Sequence, residues 1–249
     1  MLTTLRSALA PTGTLRAGIN LSNFLLVSSR GPNGEPVGVA PDVAAALAAK
    51  LAVPLELVPY ANPGLLSDAA DSDEWDIGLI GAEPKRAETI AFTAPYAEIQ
   101  ATYLVRPGSG LRTIAEVDRP GVRVAVAARA AYDLWLTANL RHATLRRPAQ
   151  PGLDRARALF DAGDEDGAFD VLAGLRPWLL DQVATAPAGS EVLDGSFTTV
   201  LQAIGIPRAR ADGGASLFLE QFVAEAKGSL VAGLIDKHGQ TGRLSVAGS

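Results

Sequence analysis

The feature that most constrains this chain is a regular alternation. Short apolar runs alternate with longer Ala/Leu-rich stretches of helical period, the pattern of parallel βαβ construction. Residues 15–20 read as a first strand. Pro41 and Asp42 open a helix, because proline is tolerated in a first turn and an acid complements the helix dipole there. Val43, Leu47 and Leu51 fall on one face of it. Residues 55–59 form a second strand, 64–70 a short helix and 76–80 a third strand, which ends at the turn Gly81-Ala82-Glu83-Pro84. Residues 99–105 are strand-like, and Pro107, Gly108 and Gly110 then break the chain. A second series follows: strand 122–127, helix 131–140, strand 144–147, helix 154–162, strand 169–172 and helix 177–183. After a further breaker at 186–189 come a strand at 200–206 and a long helix at 215–227. That helix is predicted to carry Leu217, Phe218, Phe222 and Val223 on one face, and a last helix covers 230–238. Two βα blocks, two breakers and a leftover C-terminal segment predict a chain that crosses between two lobes twice.

With 249 residues the chain is long enough for one large domain or two small lobes. Lys+Arg 22 against Asp+Glu 27 leaves a formal charge of −5, and the arginines form no stripe, which argues against a nucleic-acid partner. The absence of cysteine removes disulfides, thiolate catalysis and Cys-ligated metals. His142 and His238 lack ligand-like spacing, and His142 follows an apolar helical run where a capping or surface role fits. No apolar stretch approaches the ~20 residues that span a bilayer. The first residues lack a basic start followed by an apolar core, so no export signal is visible there.

Common catalytic signatures are also missing: no phosphate-binding loop, no nucleophile elbow and no zinc-protease helix occurs. Ser109, between two glycines, reads as linker, and Asp164-Glu165-Asp166-Gly167 as a solvated turn without the ligand spacing of a calcium loop. Trp75, Trp135 and Trp178 lie beside apolar runs and read as packing residues. Asp42 reads as a first-turn helix charge and Asp76 as a strand-start residue tying down a turn.

The informative stretch runs from Asp76 through Gly81, Ala82 and Glu83 to Arg86, followed by Phe92-Thr93-Ala94-Pro95-Tyr96. It sets an arginine just beyond the carboxyl end of a parallel strand, where open α/β sheets bind ligands. A guanidinium there offers a planar fork for a carboxylate, and free main-chain N–H groups add donors. On spacing alone, a surface Arg86 paired with Glu83 or Glu88 stays open as the alternative.

These residues, with Gly13-Thr14-Leu15-Arg16-Ala17-Gly18, Gly38-Val39-Ala40-Pro41-Asp42-Val43-Ala44 and Ala203-Ile204-Gly205-Ile206-Pro207-Arg208, resemble landmarks of one family. It is the polar-amino-acid type of solute-binding proteins of ABC transporters, and the resemblance covers residues 14–246. The resemblance implies a type II periplasmic-binding-protein fold, with two Rossmann-like α/β lobes joined by two crossovers. Residues 1–105 with 195–249 would form the first lobe and 106–194 the second. It implies a binding protein rather than an enzyme, with an interlobe cleft closing on a small carboxylate or amino-acid-like solute, no cofactor and no metal. An ABC permease is the implied partner, a monomer the implied state and the periplasm the usual location, with the cytoplasm open because no export signal is visible.

Arg86 would grip the ligand carboxylate, and Gly81, Ala82 and Glu83 would offer main-chain groups. Asn20, Asn23 and Phe24 would line the first lobe's wall, and the turn containing Arg129, Ala130 and Tyr132 would donate N–H groups from the second. The other functions open at this point are a dehydratase-like enzyme on the same fold, with Glu83 or Glu98 as its acid or base, and a stand-alone ligand sensor.

Three departures bear on the ligand. The Gly81–Arg86 loop is shorter than the family's usual loop, with Glu83 where threonine is common. The helix opening near Arg129 lacks the usual Gly, Ser or Thr. From Val171 to Leu175 only apolar residues occur, where an amine-binding aspartate usually follows the second lobe's strand. A buried ammonium would lose its partner there, so the ligand is expected to be other than a standard α-amino acid, or to be held differently, with Glu83 or Glu98 as substitutes.

Overall fold

Apolar alternation translates directly into strand and helix order. The computed structural model describes residues 2–211 and 213–248. The chain begins with α1 (Leu2–Leu9), β1 (Leu15–Asn20), a hairpin of β2 (Ser29–Arg30) and β3 (Pro36–Val37), and α2 (Val39–Leu51). Then come β4 (Leu55–Tyr60), α3 (Pro63–Asp68), β5 (Ile77–Gly81), β6 (Ile90–Phe92) and β7 (Ala97–Val105). The second series is β8 (Arg123–Ala125), α4 (Ala131–Asn139), β9 (Thr144–Arg146), α5 (Leu153–Ala162), β10 (Val171–Leu175), α6 (Arg176–Gln182) and β11 (Glu191–Val192). The chain closes with β12 (Thr198–Pro207), α7 (Gly213–Ser229), α8 (Val231–Lys237) and β13 (Ser245–Val246). Among the described residues no helix is long and apolar enough to cross a membrane.

Two compact units result, one from Met1–Glu98 with Leu201–Ser249, the other from Ile99–Val200. The chain passes between them within β7 and again at the start of β12. In the first unit β1 lies between β4 and β5, parallel to both, and β12 adds to β5 antiparallel. α2 presents Val43, Leu47 and Leu51 to the core, all fully buried. A second cluster joins Leu66, Trp75, Ile80 and Ile90. Gly205 is required on β12, because a side chain there would collide with Ile90. In the second unit β8 is parallel to β9 and β10, and β10 is antiparallel to β7.

Each unit fastens its central parallel pair with the same device. Asp76, immediately ahead of β5, accepts the Arg16 main-chain N–H at 2.8 Å and returns its own N–H to the Arg16 carbonyl at 2.8 Å. Asp170, immediately ahead of β10, accepts the Arg123 N–H at 2.9 Å and donates back to the Arg123 carbonyl at 3.1 Å. The Asp76 side chain is fully buried and also takes Arg16 Nη2 and Arg210 Nη1, at 2.8 and 2.9 Å. That saturates an anion which burial would otherwise make costly. Asp76 thus ties down the strand start, as its position suggests.

Several expectations need correction. Leu217 is 60% exposed, whereas Ala215, Leu219, Phe222, Val223 and Ala226 form the buried stripe of α7. Leu217 lies two positions, about 200°, from Ala215 and faces away. β10 begins at Val171 rather than 169 and runs to Leu175. Buried on both faces, it reads as an unbroken apolar run in which alternation cannot mark the start. The two-residue strands β2, β3, β11 and β13 are too short for any period to reveal them, and the three-residue β6 is likewise absent from the sequence reading.

The Asp76 cluster generates a stability prediction. Asp76→Ala should lower unfolding free energy by about 3 kcal/mol, because two partly buried guanidinium groups lose their buried counterion and keep only the exposed Asp73. Urea denaturation checks it, and a change under 1 kcal/mol would show the cluster to be dispensable.

Candidate functional site

Because β4, β1 and β5 run parallel, their carboxyl ends share one edge of the first unit's sheet, and Ile19 stands beside Leu79 in the register. That edge gathers several predicted residues. Asn20 ends β1, and its Oδ1 accepts from Ser22 N at 3.1 Å and from Ser22 Oγ at 2.8 Å, turning the chain. The Asn23 carbonyl closes the next turn by accepting from Leu26 and Val27, and the buried Asn23 Oδ1 has no hydrogen-bond partner among the described residues. Phe24 is half-buried, with the Arg243 guanidinium 5.8 Å from its ring centre.

Gly81 ends β5, and Ala82 donates its N–H to Leu201 at 2.8 Å. Arg86 is only 3% exposed and turns back across the loop, Nη1 donating to the Gly81 carbonyl at 2.7 Å. It is therefore not a surface residue; Glu88 pairs instead with Lys85 at 2.7 Å. A buried, planar set of donors at a strand end is suited to an anion. Glu83 lies in the same loop. Burial pushes its carboxyl up to about 7, against the opposing pull of Arg86.

In the second unit, Ala125 stands beside Leu172, so the turn after β8 and the end of β10 lie along one edge. Arg129 is exposed and adopts a left-handed φ of 63°. Its N–H donates to Asp133 Oδ2 at 2.7 Å. Ala130 opens α4 without a side-chain cap. Tyr132 is buried, its hydroxyl has no hydrogen-bond partner among the described residues, and burial pushes its ionisation upward.

β10 ends at the buried Leu175 and is followed by Arg176, whose Nη2 donates to Leu193 O at 2.8 Å and to Gly195 O. Sequence reasoning missed Arg176 and Asp133. The first could have been found as the residue next to Leu175, the second as the acid three positions past the uncapped Ala130.

Other singled-out residues fall elsewhere. Glu98 sits on β7 opposite Ser245 and accepts the Gly248 N–H at 3.4 Å. Asp42 lies in the first turn of α2 and pairs with Lys237 and His238 at 2.7 and 2.8 Å. The exposed His142 uses its main-chain N–H on Asp118, at 2.7 Å. The 164–167 turn is closed on itself, with Arg123 on Asp164 and Arg146 on Asp166. Trp75 and Trp178 are buried, and Trp135 packs 5.4 Å from Phe197.

A model of the bacterial extracellular solute-binding proteins, family 3, matches residues 16–230. The chain belongs to this family. No curated protein matches the chain in sequence. Among solved structures it is similar to a putative ABC-transporter binding component from Wolinella succinogenes complexed with lysine, at 20% identity. The match covers 92% of this chain and 95% of that one, with a TM-score of 0.71. An amino acid ABC transporter substrate-binding protein from Streptococcus pneumoniae, bound to L-arginine, is 17% identical over 98% of this chain and 99% of that one, with a TM-score of 0.71. An ancestral amino acid-binding protein described as a precursor of cyclohexadienyl dehydratase is 23% identical over 96% and 98%, with a TM-score of 0.69. At such identities the likeness establishes the fold, which is the type II periplasmic-binding-protein fold implied by the sequence motifs.

Glu83 in this family member predicts a pH dependence. Its folded value lies above the ordinary 4.5, so between about pH 4.5 and 7 the folded state keeps a proton that the unfolded chain releases. This contribution to stability therefore falls as pH rises through that window. Glu83→Gln should raise Tm over the unmodified protein above pH 7, with the advantage vanishing near pH 4.5. A Tm difference independent of pH, read by calorimetric scans, would contradict the buried-carboxyl account.

Proposed function

We propose that this chain is a ligand-capture protein, the solute-binding component of an ABC-type uptake system, whose ligand is a small carboxylate without a free α-amine. One observation carries the reading: Arg86 is buried at the carboxyl end of β5, while β10 ends in Leu175 and Arg176 rather than a carboxylate. A zwitterionic amino acid needs an acceptor for its ammonium as well as a donor for its carboxylate. Asp133, the nearby acid of the second unit's turn, is already engaged by the Arg129 N–H and by Arg147. Glu98 is bonded to the Gly248 N–H. Among these carboxylates Glu83 is left, and near neutral pH burial keeps part of its population uncharged; the unpartnered Asn23 Oδ1 is an acceptor without charge.

Leaving a buried ammonium unpaired costs on the order of a few kcal/mol, or roughly a hundredfold or more in affinity. Solved relatives bound to lysine or arginine therefore point to the class of partner, an ABC permease, more than to this chain's ligand. A second reading draws on the ancestral relative described as a dehydratase precursor, and on Glu83, whose value of about 7 suits a general acid or base. Turnover assays with the ligands that bind separate the two.

A thermal-shift screen of amino acids against matched keto, hydroxy and dicarboxylic acids tests the proposal. The amine-free acids should give the larger shifts, and Arg86→Ala should weaken the best of them by about 2–5 kcal/mol. The largest shift coming from glutamine or arginine, with its amine on Glu83, would sink the ligand assignment; unchanged affinity in Arg86→Ala would remove that residue from the site.

A further inference from the structure

Arg129, Ala52 and Asp73 are the described non-glycine residues with left-handed backbone. Ala52 is the C-cap of α2, a position where that conformation is ordinary. Arg129 is different, because it lies at the strand-to-helix turn on the second unit's carboxyl edge. A side chain with a Cβ resists a φ of 63°, so something must hold it there.

We propose that Asp133 is the positioning residue of this ligand turn, holding Arg129 left-handed through its main-chain N–H so that the first turn of α4 stays uncapped and open to an anion. The inference rests on the function proposed above. Asp133 is 3% exposed, and its Oδ2 takes the Arg129 N–H at 2.7 Å. Its other oxygen takes Arg147 Nε at 2.8 Å, and Arg147 Nη2 donates to Thr137 Oγ1 at 2.6 Å. Thr137 in turn donates to the Asp133 main-chain carbonyl at 2.7 Å, while the carboxylate itself is held on one oxygen by the Arg129 N–H and on the other by Arg147.

The usual way to order a helix start is a Ser, Thr, Asp or Asn at the N-cap, which takes a first-turn N–H for itself. Here Ala130 makes no such bond. The ordering acid is itself in the first turn of α4 and reaches back past Ala130 to the Arg129 N–H, so its Oδ2 is spent on a group ahead of the helix. Arg147 has a second consequence. It supplies the counter-charge to Asp133, so an anion approaching Ala130 and Ala131 does not meet an unbalanced carboxylate. On this proposal the Asp–Arg pair fixes the backbone ahead of the helix without a capping side chain at Ala130.

The test is heteronuclear NMR on the full chain as wild type, Asp133→Ala and the double variant Asp133→Ala/Arg129→Gly, each titrated with 2-oxoglutarate as the probe. In Asp133→Ala the Arg129 Cα and Cβ shifts should leave the left-handed range, and probe affinity should fall about tenfold. Adding Arg129→Gly should restore affinity to within about threefold, since glycine takes positive φ without steric cost. A merely structural aspartate would not be rescued in this way. Should Asp133→Ala fail to fold, Asp133→Asn, which keeps an oxygen for the Arg129 N–H, should retain the Arg129 shifts and most of the affinity; its losing both would overturn the proposal. Unchanged Arg129 shifts in Asp133→Ala, or a loss that glycine does not restore, would equally overturn it. If the probe leaves the wild-type Ala130–Tyr132 amides unmoved, the proposed ligand class fails, while the Arg129 shifts still decide the role of Asp133.

Discussion

Asp76 holds both the main chain and the side chain of Arg16, and Asp170 holds the main chain of Arg123, so a carboxylate fastens the amino end of each unit's central parallel pair. A buried aromatic precedes each aspartate, Trp75 in one case and Phe169 in the other. The pairs matter because strand register has a period of two: a slip of one residue would turn every buried side chain of β5 or β10 to the opposite face. With the amino ends fixed, the carboxyl ends are fixed as well. Gly81 and the Arg86 loop terminate β5 at a defined height beside Asn20, and Leu175 and Arg176 terminate β10 beside the Arg129 turn.

Charged donors stand at both edges, beside the uncharged acceptor Asn23 Oδ1 in the first unit. Arg86 is desolvated, Arg176 follows Leu175 directly, and the first turn of α4 has no side-chain cap. The acids nearby are committed or suppressed. Asp133 is shared between Arg147 and the Arg129 N–H, and burial holds the Glu83 carboxyl near neutrality. Burial makes this imbalance decisive. An exposed ammonium could find water, but a desolvated one needs a charged acceptor within reach. Membership of the solute-binding family says that such a chain captures a solute; the charge balance of its own edges supports the proposal that the solute is an amine-free anion.

The fold was largely legible in the sequence because parallel strands and their helices carry dense, periodic apolar signals. Residues 15–20 match β1 at both ends, and Val43, Leu47 and Leu51 pack as their spacing requires. Leu217 was misjudged because a stretch with apolar residues at 215, 217–219, 222 and 223 admits more than one stripe, and packing against the core selects one. The repeated Asp–Arg device could have been seen in Trp75-Asp76-Ile77 and Phe169-Asp170-Val171, each paired with an arginine in an earlier strand. The site was harder to read. Arg86 emerges from its position past a strand end, but its burial does not, since spacing alone fits a surface pair with Glu88 equally well. Asp133 is marked in the sequence only as an acid three positions past Ala130; its bond to the Arg129 main-chain N–H depends on the left-handed conformation of Arg129, which no residue pattern reveals.

Native mass spectrometry of the protein purified without added ligand, with the bound species released and identified, reads the ligand class without a choice of candidates. The released species should be a small carboxylate without a primary amine, and it should be lost from Arg86→Ala. A standard α-amino acid such as lysine or arginine, bound at full occupancy, would contradict the proposed ligand class.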